Sequence, residues 1–481
     1  MEQSGARPVI AIIGAGVAGL AAAFFLRDEP ADVIVLDGAP QPGGKLALAE
    51  VAGCLVDVGA EALLARRPEG TGLIGAAGLG GELVPAGTTA ARIWSRGTMC
   101  PLPARQFMGV PADAGELAQT GLLSSAGLAR ARREPDLPAV ARDGDVPVAG
   151  YVAARFGQEV VNRLVDPLLG GVYAGRSEEL SFEATLPALA SAARRHGTLS
   201  AAAAALLPPS PAGPAASAPR PPVFSTLAGG LGTLPPALAA ASCAELRTGA
   251  MVRQLARTAR GWRLTIGSAH APQWLDADAV ILAVPGRPAS RLLAGVPAAA
   301  AASAALGGVS YASMAIVTLA YQRAAFPQRP DISGYLVPAV DGHPVKAVTF
   351  SSVKWPHLQQ QAAGLIFVRC SVGRIGEEQI LQAGDAELAA LAAADLAAAT
   401  GVRGAPVASL VTRWGGALPQ YTVGHLDRVA RIQASLATQP RLAVCGALYA
   451  GVGIPACIAT ARGAVDQIVA ALQEDRSHVS N

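Results

Sequence analysis

Hydrophobic positions change period several times along the chain, and the first change carries the most information. Val9–Ile13 is a short, largely β-branched run of the kind buried on both faces of a parallel sheet. Leu20–Leu26 continues in strong helix formers, and Val33–Leu36 is a second short apolar run. Taken as one block, Val9–Leu26 is uncharged and about as long as a bilayer span, so a membrane anchor competes with a strand–turn–helix unit. The glycine spacing decides for the second. Gly14, Gly16 and Gly19 form G-x-G-x-x-G between strand and helix, and Asp37 ends the next strand 23 residues after Gly14. In that setting Gly14 makes the tight turn, Gly16 lets a pyrophosphate approach the backbone, and Gly19 lets helix and strand pack closely. Phosphates then meet free N–H groups at the positive end of a helix, with Asp37 placed for a ribose hydroxyl.

Further on, helix-rich stretches alternate with turns from about Glu69 to Leu206, and Pro208–Pro222 is a low-complexity run expected to form a mobile surface loop. Ala298–Leu306 reads as a helix. "VFSTLAGGLGTLPPALA" reads as strand, turn and helix, "LRTGAMVRQLARTARGWRLTIG" as two strands, and "ADAVILAVPG" as a further buried strand. Residues 308–374 alternate as antiparallel strands in "ASMAIVTLAY", "KAVTFSSV" and "LIFVRCSVG". Glu377–Thr400 reads as helix, and the chain closes with strand, glycine loop and long helix. The expected class is therefore α/β, with a discontinuous Rossmann-type domain from residues 1–65, 223–290 and 436–475. An inserted α+β substrate domain takes 66–105 and 305–435, a helical subdomain 106–206, and the mobile loop 207–222.

Composition narrows the partners. Of 481 residues, 15% are charged and 51% hydrophobic, and the net charge of +3 argues against nucleic acid. Cys54, Cys100, Cys243, Cys370, Cys445 and Cys457 show no metal-ligand spacing, so they read as scattered thiols of a reducing, cytoplasmic compartment. Peripheral membrane contact stays open. Lys45, Lys346 and Lys354 are the only lysines. Lys45 sits in Pro42-Gly43-Gly44-Lys45, just after the ribose-binding acid, where two glycines admit a ligand and the ammonium can neutralise a phosphate or support the loop. Gly446–Pro455 is a second glycine loop opening a helix, suited to the anionic end of a reduced isoalloxazine.

These motifs resemble the flavoprotein group of monoamine oxidases, phytoene desaturases and oxygen-dependent porphyrinogen oxidases. "VDPLLGGVYAG" (165–175), "STLAGGLGTLPPAL" (225–238), "TFSSVKWPH" (349–357), "RWGGALPQYTVGH" (413–425) and "GVGIPACI" (451–458) resemble the last of these along nearly the whole chain. The likeness is strongest to the Gram-positive bacterial branch that resembles coproporphyrinogen III oxidase. It implies a glutathione-reductase/monoamine-oxidase-like architecture and non-covalent FAD. Gly14, Ala15, Gly16, Val17, Ala18 and Gly19 would hold the pyrophosphate, Asp37 and Gly38 the ribose, and Gly43, Gly44 and Lys45 the phosphate side. Gly59, Ala60, Glu61 and Ala62 would lie by the flavin and ribityl chain, and Val252 would meet the adenine through its backbone. Trp414 would cover part of the FAD, while Gly446, Gly453, Ile454 and Pro455 would flank the isoalloxazine. Two departures stand out: Asp37 where Glu is commoner, and Leu448 where Ser often precedes the aromatic.

The implied reaction oxidises coproporphyrinogen III to coproporphyrin III in haem biosynthesis, six electrons leaving in three flavin cycles with O2 as acceptor and H2O2 as product. Such chemistry requires no general base, and none is assigned; His357 and His425 read as structural, and no metal site is expected. The resemblance gives Val172, Tyr173, Ser371 and Arg67 as substrate-pocket residues, with Arg66 beside Arg67, Arg96 and Arg105 weaker, and Lys354 structural. Protoporphyrinogen IX oxidation is the nearest alternative. An amine oxidase, a carotenoid desaturase and a non-catalytic porphyrin carrier are the others. Product hand-over to the next haem-synthesis enzyme and a monomer or homodimer complete the expected partners.

Overall fold

Val9–Ile13 becomes the middle strand of a five-stranded, all-parallel sheet. Its order is Glu245–Arg247, Asp32–Leu36, Val9–Ile13, Ala279–Leu282, Leu442–Val444. The computed structural model describes residues 7–138, 144–208 and 222–479, with side chains through 474. The expected mobile loop thus falls largely, at 209–221, outside the described residues. Ile10 and Ile12 turn to one face of the sheet and pack with helices Val17–Phe25 and Ile454–Val479; Ala11 and Ile13 turn to the other, toward Trp262 and Leu264. Burying each of these large side chains contributes roughly 1.5–3 kcal/mol. The uncharged block Val9–Leu26 is therefore a strand, a glycine turn and a nine-residue helix. No helix among the described residues is long and apolar enough to cross a membrane.

The parallel sheet is completed by chain segments far apart in sequence. The stretch expected as two strands holds three: the turn at Gly249, φ +64°, separates Glu245–Arg247 from the next strand, and this first part joins the parallel sheet. Val252–Arg257 then pairs antiparallel with Trp262–Ser268, which pairs in turn with Ala271–Ala277, as a separate three-stranded sheet. A seven-stranded sheet forms the other large layer, in the order Ala408–Pro419, Tyr311–Gln322, Leu365–Val372, Val345–Phe350, Gly334–Leu336, Ala91–Ser95, Thr98–Pro101. Its pairs are antiparallel except Gly334–Leu336 with Ala91–Ser95. The strand read through "KAVTFSSV" stops at Phe350, where Ser351–Lys354 turns helical. The helix read over 377–400 is a short 3-10 turn, Glu378–Gln382, then α-helix Asp385–Thr400.

Between residues 106 and 206 the chain is mostly helical, with helices Ser125–Arg132, Val148–Phe156, Asp166–Tyr173, Pro187–Ala193 and Leu199–Ala205 around their own core. A fully buried ion pair fastens this layer. Arg155 meets Glu134 at 2.7 Å, and Glu134 also accepts from the Leu199 and Ser200 amides. Cys100, Cys370, Cys445 and Cys457 are buried thiols, as expected, whereas Cys243 is exposed at a helix end.

Candidate functional site

The glycine turn is built by contacts that allow no side chain. Gly14 has φ +110°, and its N–H donates to Leu36 O at 2.8 Å. A Cβ on Gly19 would lie 1.8 Å from Gly14 O, so strand and helix touch here through backbone alone. Gly16 differs: a Cβ there would meet nothing within 4 Å. Gly16 also caps helix Val17–Phe25 without any side-chain hydrogen bond. The first-turn N–H groups of a well-packed helix therefore face open space, which is the requirement for a phosphate. Gly43 N–H donates to Ala15 O at 2.8 Å, and Gly43 and Gly44, at φ +119° and +57°, bring the second glycine motif against the first.

Asp37 lies at the end of its strand, half-buried. One carboxylate oxygen accepts from Ala15 N–H at 2.6 Å and the other from Ala39 N–H at 2.8 Å. The shorter acid thus braces the glycine turn as well as facing the cleft, and each oxygen keeps a lone pair for a hydroxyl. A cavity of about 380 Å3 opens beside it, bordered by Gly14, Asp37, Gly38, Met251 and Val252. Met251 lies over Gly38, where a Cβ would strike its Cε at 2.4 Å.

A second cavity, about 340 Å3, lies between the segment Gly59–Ala62 and one face of the seven-stranded sheet. The strand period of two delivers its wall. Ile316, Ser371 and Ala347 form one cross-strand row, Arg369 and Thr349 lie in the next, and Met314 pairs with Trp414. Lys45 borders this cavity, and its surroundings lower the ammonium pKa by desolvation. Trp414 donates from Nε1 to Val58 O at 2.9 Å, and Gly59 lies so close to Lys45 O that a Cβ would be 2.0 Å away.

Glu61 borders the cavity too, with its carboxylate spent on protein partners. Lys354 Nζ stands 2.9 Å from Oε1, and Arg369 lies 2.7 Å from Oε2, which Ser351 also reaches at 3.1 Å. Burial alone would raise its pKa, but Lys354 and Arg369 together hold the carboxyl well below the usual range. Lys354 stacks over Trp355 and Phe224, as its structural reading implied. Arg369 further donates to Gly59 O, tying the strand to the segment beside the cleft. Asp57 accepts from the Leu231 and Gly232 amides, each at 3.0 Å, yet burial lifts its pKa to about 6.

The C-terminal glycine loop is clamped from outside. Tyr421 Oη donates to Ala447 O at 2.5 Å and accepts from Gly451 N–H at 2.8 Å. His425 stacks on the Tyr421 ring and meets Leu448 O at 2.9 Å. Burial drops the imidazole pKa to about 4, so it is neutral at pH 7 and serves as a loop support. Gly446 N–H donates to Thr460, and Gly446 and Gly451 adopt φ +124° and +134°. Pro455 packs on Gly70, and Ile454 is buried at the start of the last helix.

The expected pocket residues divide. Ser371 borders the sheet-walled cavity. From the "GGVYAG" helix it is Gly171 that borders it, while Val172 is exposed and Tyr173 is buried against Tyr421 in the helical layer. Two residues along a helix turn by about 200°, so Gly171 and Tyr173 point apart. Arg67 borders neither cavity; it is exposed and forks onto Glu69, two residues downstream, at 2.6 Å. Missed in the sequence were Arg369, Thr349, Ala347, Met314 and Ile316. Stepping by two from Ser371 reaches Arg369, and that alternation was the available signal.

Comparison with known proteins gives one result throughout the chain. Residues 17–469 match the family described as flavin containing amine oxidoreductase. Coproporphyrinogen III oxidase of Mycobacterium tuberculosis is 38% identical over 467 residues, 96% of this chain and 97% of that one. The Bacillus subtilis coproporphyrinogen III oxidase is 30% identical over 464 residues, 95% and 97% of the two chains. A crystal structure of a candidate protoporphyrinogen oxidase from Exiguobacterium sp. matches with a TM-score of 0.83 at 28% identity, covering 97% of this chain and 99% of its own. The turn around Gly16, the two cavities and this full-length similarity agree, and the chain belongs to the flavin-containing amine oxidoreductase family.

Proposed function

We propose that this protein oxidises coproporphyrinogen III to coproporphyrin III with FAD as cofactor and dioxygen as final acceptor. The observation that carries the reading is the wall of the sheet-bounded cavity. Met314, Ile316, Ala347, Ala417 and Leu418 make it apolar, and its charged groups are Lys45 and the mutually paired Glu61 and Arg369. No unpaired carboxylate or histidine among the described residues borders it to act as acid or base. The cofactor supplies the two-electron acceptor that dioxygen regenerates with release of hydrogen peroxide. The chain's own part is placement. The helix start at Gly16 holds the pyrophosphate, and Asp37 the ribose. Val252 meets adenine, and the apolar sheet face seats the macrocycle and excludes water. Ser371 meets the substrate there, with Gly171 at the same wall. Among the described residues, Trp414 is the one aromatic side chain bordering this cavity, which disfavours an amine oxidase, whose substrate calls for an aromatic cage.

The same reading divides the chain into the three-segment FAD domain, the inserted substrate domain and the helical subdomain. It also puts the protein in the cytoplasm, with its product passed to the next enzyme of haem synthesis. Coproporphyrinogen III and protoporphyrinogen IX, prepared without oxygen and compared side by side, test the substrate. Porphyrin fluorescence should rise faster for the tetracarboxylate once air and enzyme are added, with three peroxides per porphyrin. Preference for the dicarboxylate would contradict the substrate assignment, and acceleration of neither would contradict the activity.

Tyr421 offers a check on the loop. Tyr421→Phe removes both hydrogen bonds to the glycine loop while keeping the ring on His425. Two lost hydrogen bonds should weaken FAD binding about tenfold, readable by titration of flavin fluorescence. Unchanged affinity would show that the clamp does not shape the cofactor site.

A further inference from the structure

Behind the Glu61–Arg369 wall lies a separate small cavity of about 20 Å3. Its lining comes from four parts of the fold. The Leu48–Val51/Cys54–Asp57 hairpin gives Leu55, Val56 and Asp57, and strand Phe224–Leu227 gives Thr226. The seven-stranded sheet gives Thr318, Phe367 and Arg369, and Trp355 with the helix Pro356–Gln361 that it caps gives the rest, His357 and Leu358.

Five buried polar atoms with no protein hydrogen-bond partner all belong to residues bordering this one space. They are Thr226 Oγ1, Thr318 Oγ1, Trp355 Nε1, His357 Nδ1 and Arg369 Nε. Thr226 and Thr318 are each 1% exposed, Trp355 2% and Arg369 8%. Trp355 Nε1 and Arg369 Nε are donors only, so each requires an acceptor. The threonine hydroxyls can give or take, and the neutral imidazole nitrogen takes either role by tautomer. Buried polar groups left without any partner are rare in folded proteins. Polar cavities of roughly 10–15 Å3 or more hold water, whereas dry cavities are apolar.

We propose that this cavity is a built site for one or two internal water molecules, which complete the hydrogen bonding of Arg369, Trp355, His357, Thr226 and Thr318. A water oxygen accepts from the two obligatory donors and returns its protons to the hydroxyls, the imidazole or the carboxylates. A small inorganic anion would satisfy the donors equally, but it would face the carboxylates of both Asp57 and Glu61, which border the same space. The site has a consequence for the cleft. Arg369 is the residue that donates to Gly59 O and pairs with Glu61, so water on its Nε fixes the guanidinium plane and, through it, the Gly59–Glu61 segment. Thr318 stands directly opposite Arg369 across the sheet and acts here as a positioning residue. This second step rests on the reading of that segment as the flavin wall; the water site itself does not.

A high-resolution crystal structure of the full chain, with a parallel crystal soaked in bromide, tests the site. The expected result is ordered solvent density in the cavity, within hydrogen-bond distance of at least three of the five atoms and without an anomalous bromide peak. A cavity free of density, or one that takes bromide, would overturn the proposal, and neither result depends on whether flavin binds. The link to the cleft is read from Thr318→Val and Thr318→Ser. The first keeps the shape and loses the hydroxyl; the second keeps the hydroxyl. FAD affinity should fall about fivefold in Thr318→Val, the loss of one neutral hydrogen bond. It should stay at the parent value in Thr318→Ser, with both variants giving the parent's far-ultraviolet circular dichroism. Equal affinity in both variants and the parent would overturn the link.

Discussion

Gly16→Val should leave the apoprotein folded with its melting temperature unchanged, yet cost it about a hundredfold or more in FAD affinity. The reason is the asymmetry of the glycine turn. At Gly16 the backbone has an ordinary negative φ of −72° and a Cβ meets nothing, so the fold does not object. The added branches would occupy the space into which the first-turn N–H groups point, where a pyrophosphate belongs. Gly19→Ala should behave in the opposite way. Its Cβ would collide with Gly14 O, so helix Val17–Phe25 must back away from the central strand, at a cost of about 1–3 kcal/mol or more. Melting curves of the two apoproteins beside their FAD titrations check both halves. A Gly16→Val protein that binds FAD normally would remove the pyrophosphate from this turn.

Glu61→Gln should be the most destabilising conservative change near the cleft, by about 3–5 kcal/mol, because it strands Lys354 and Arg369 together in a buried place. The pH dependence has a definite sign. Glu61 is held below its ordinary value of 4.5, so its contribution is present above that pH and is lost as pH falls further. Asp57 acts in reverse. Its pKa is raised from 3.8 to about 6, so its contribution is complete below 3.8 and is lost as pH rises through about 6. Melting temperatures measured from pH 3.5 to 8 should therefore show parent and Glu61→Gln converging in acid. Parallel curves would mean that the carboxylate is not charged in the folded protein.

What the sequence made legible was what the backbone requires locally. Gly14 and Gly19 are dictated by short backbone contacts within one turn, Gly16 by the open space a phosphate needs, and Asp37 by its place at a strand end, so spacing alone exposes them. Side chains that meet across the fold were opaque. Glu61 and Arg369 are 308 positions apart, and no local pattern announces that one neutralises the other. The helix around Gly171 misled for a simpler reason: a motif names residues without saying which face of the helix they occupy, and Tyr173 turns away from the cavity that Gly171 borders. Arg67 looked available for a carboxylate because its partner, Glu69, is distinguished only by geometry. The inserted sheet was legible as alternation, but its rows across the cavity depend on register, which only the paired strands reveal.

One measurement tests the proposed reaction most directly. FAD-loaded protein is mixed with coproporphyrinogen III in the absence of oxygen, and the flavin absorbance near its visible maximum is followed. The expected result is rapid bleaching of the bound flavin, with recovery and multiple turnovers to fluorescent coproporphyrin when air is admitted. A flavin that stays oxidised in the presence of this substrate would contradict the account at its centre.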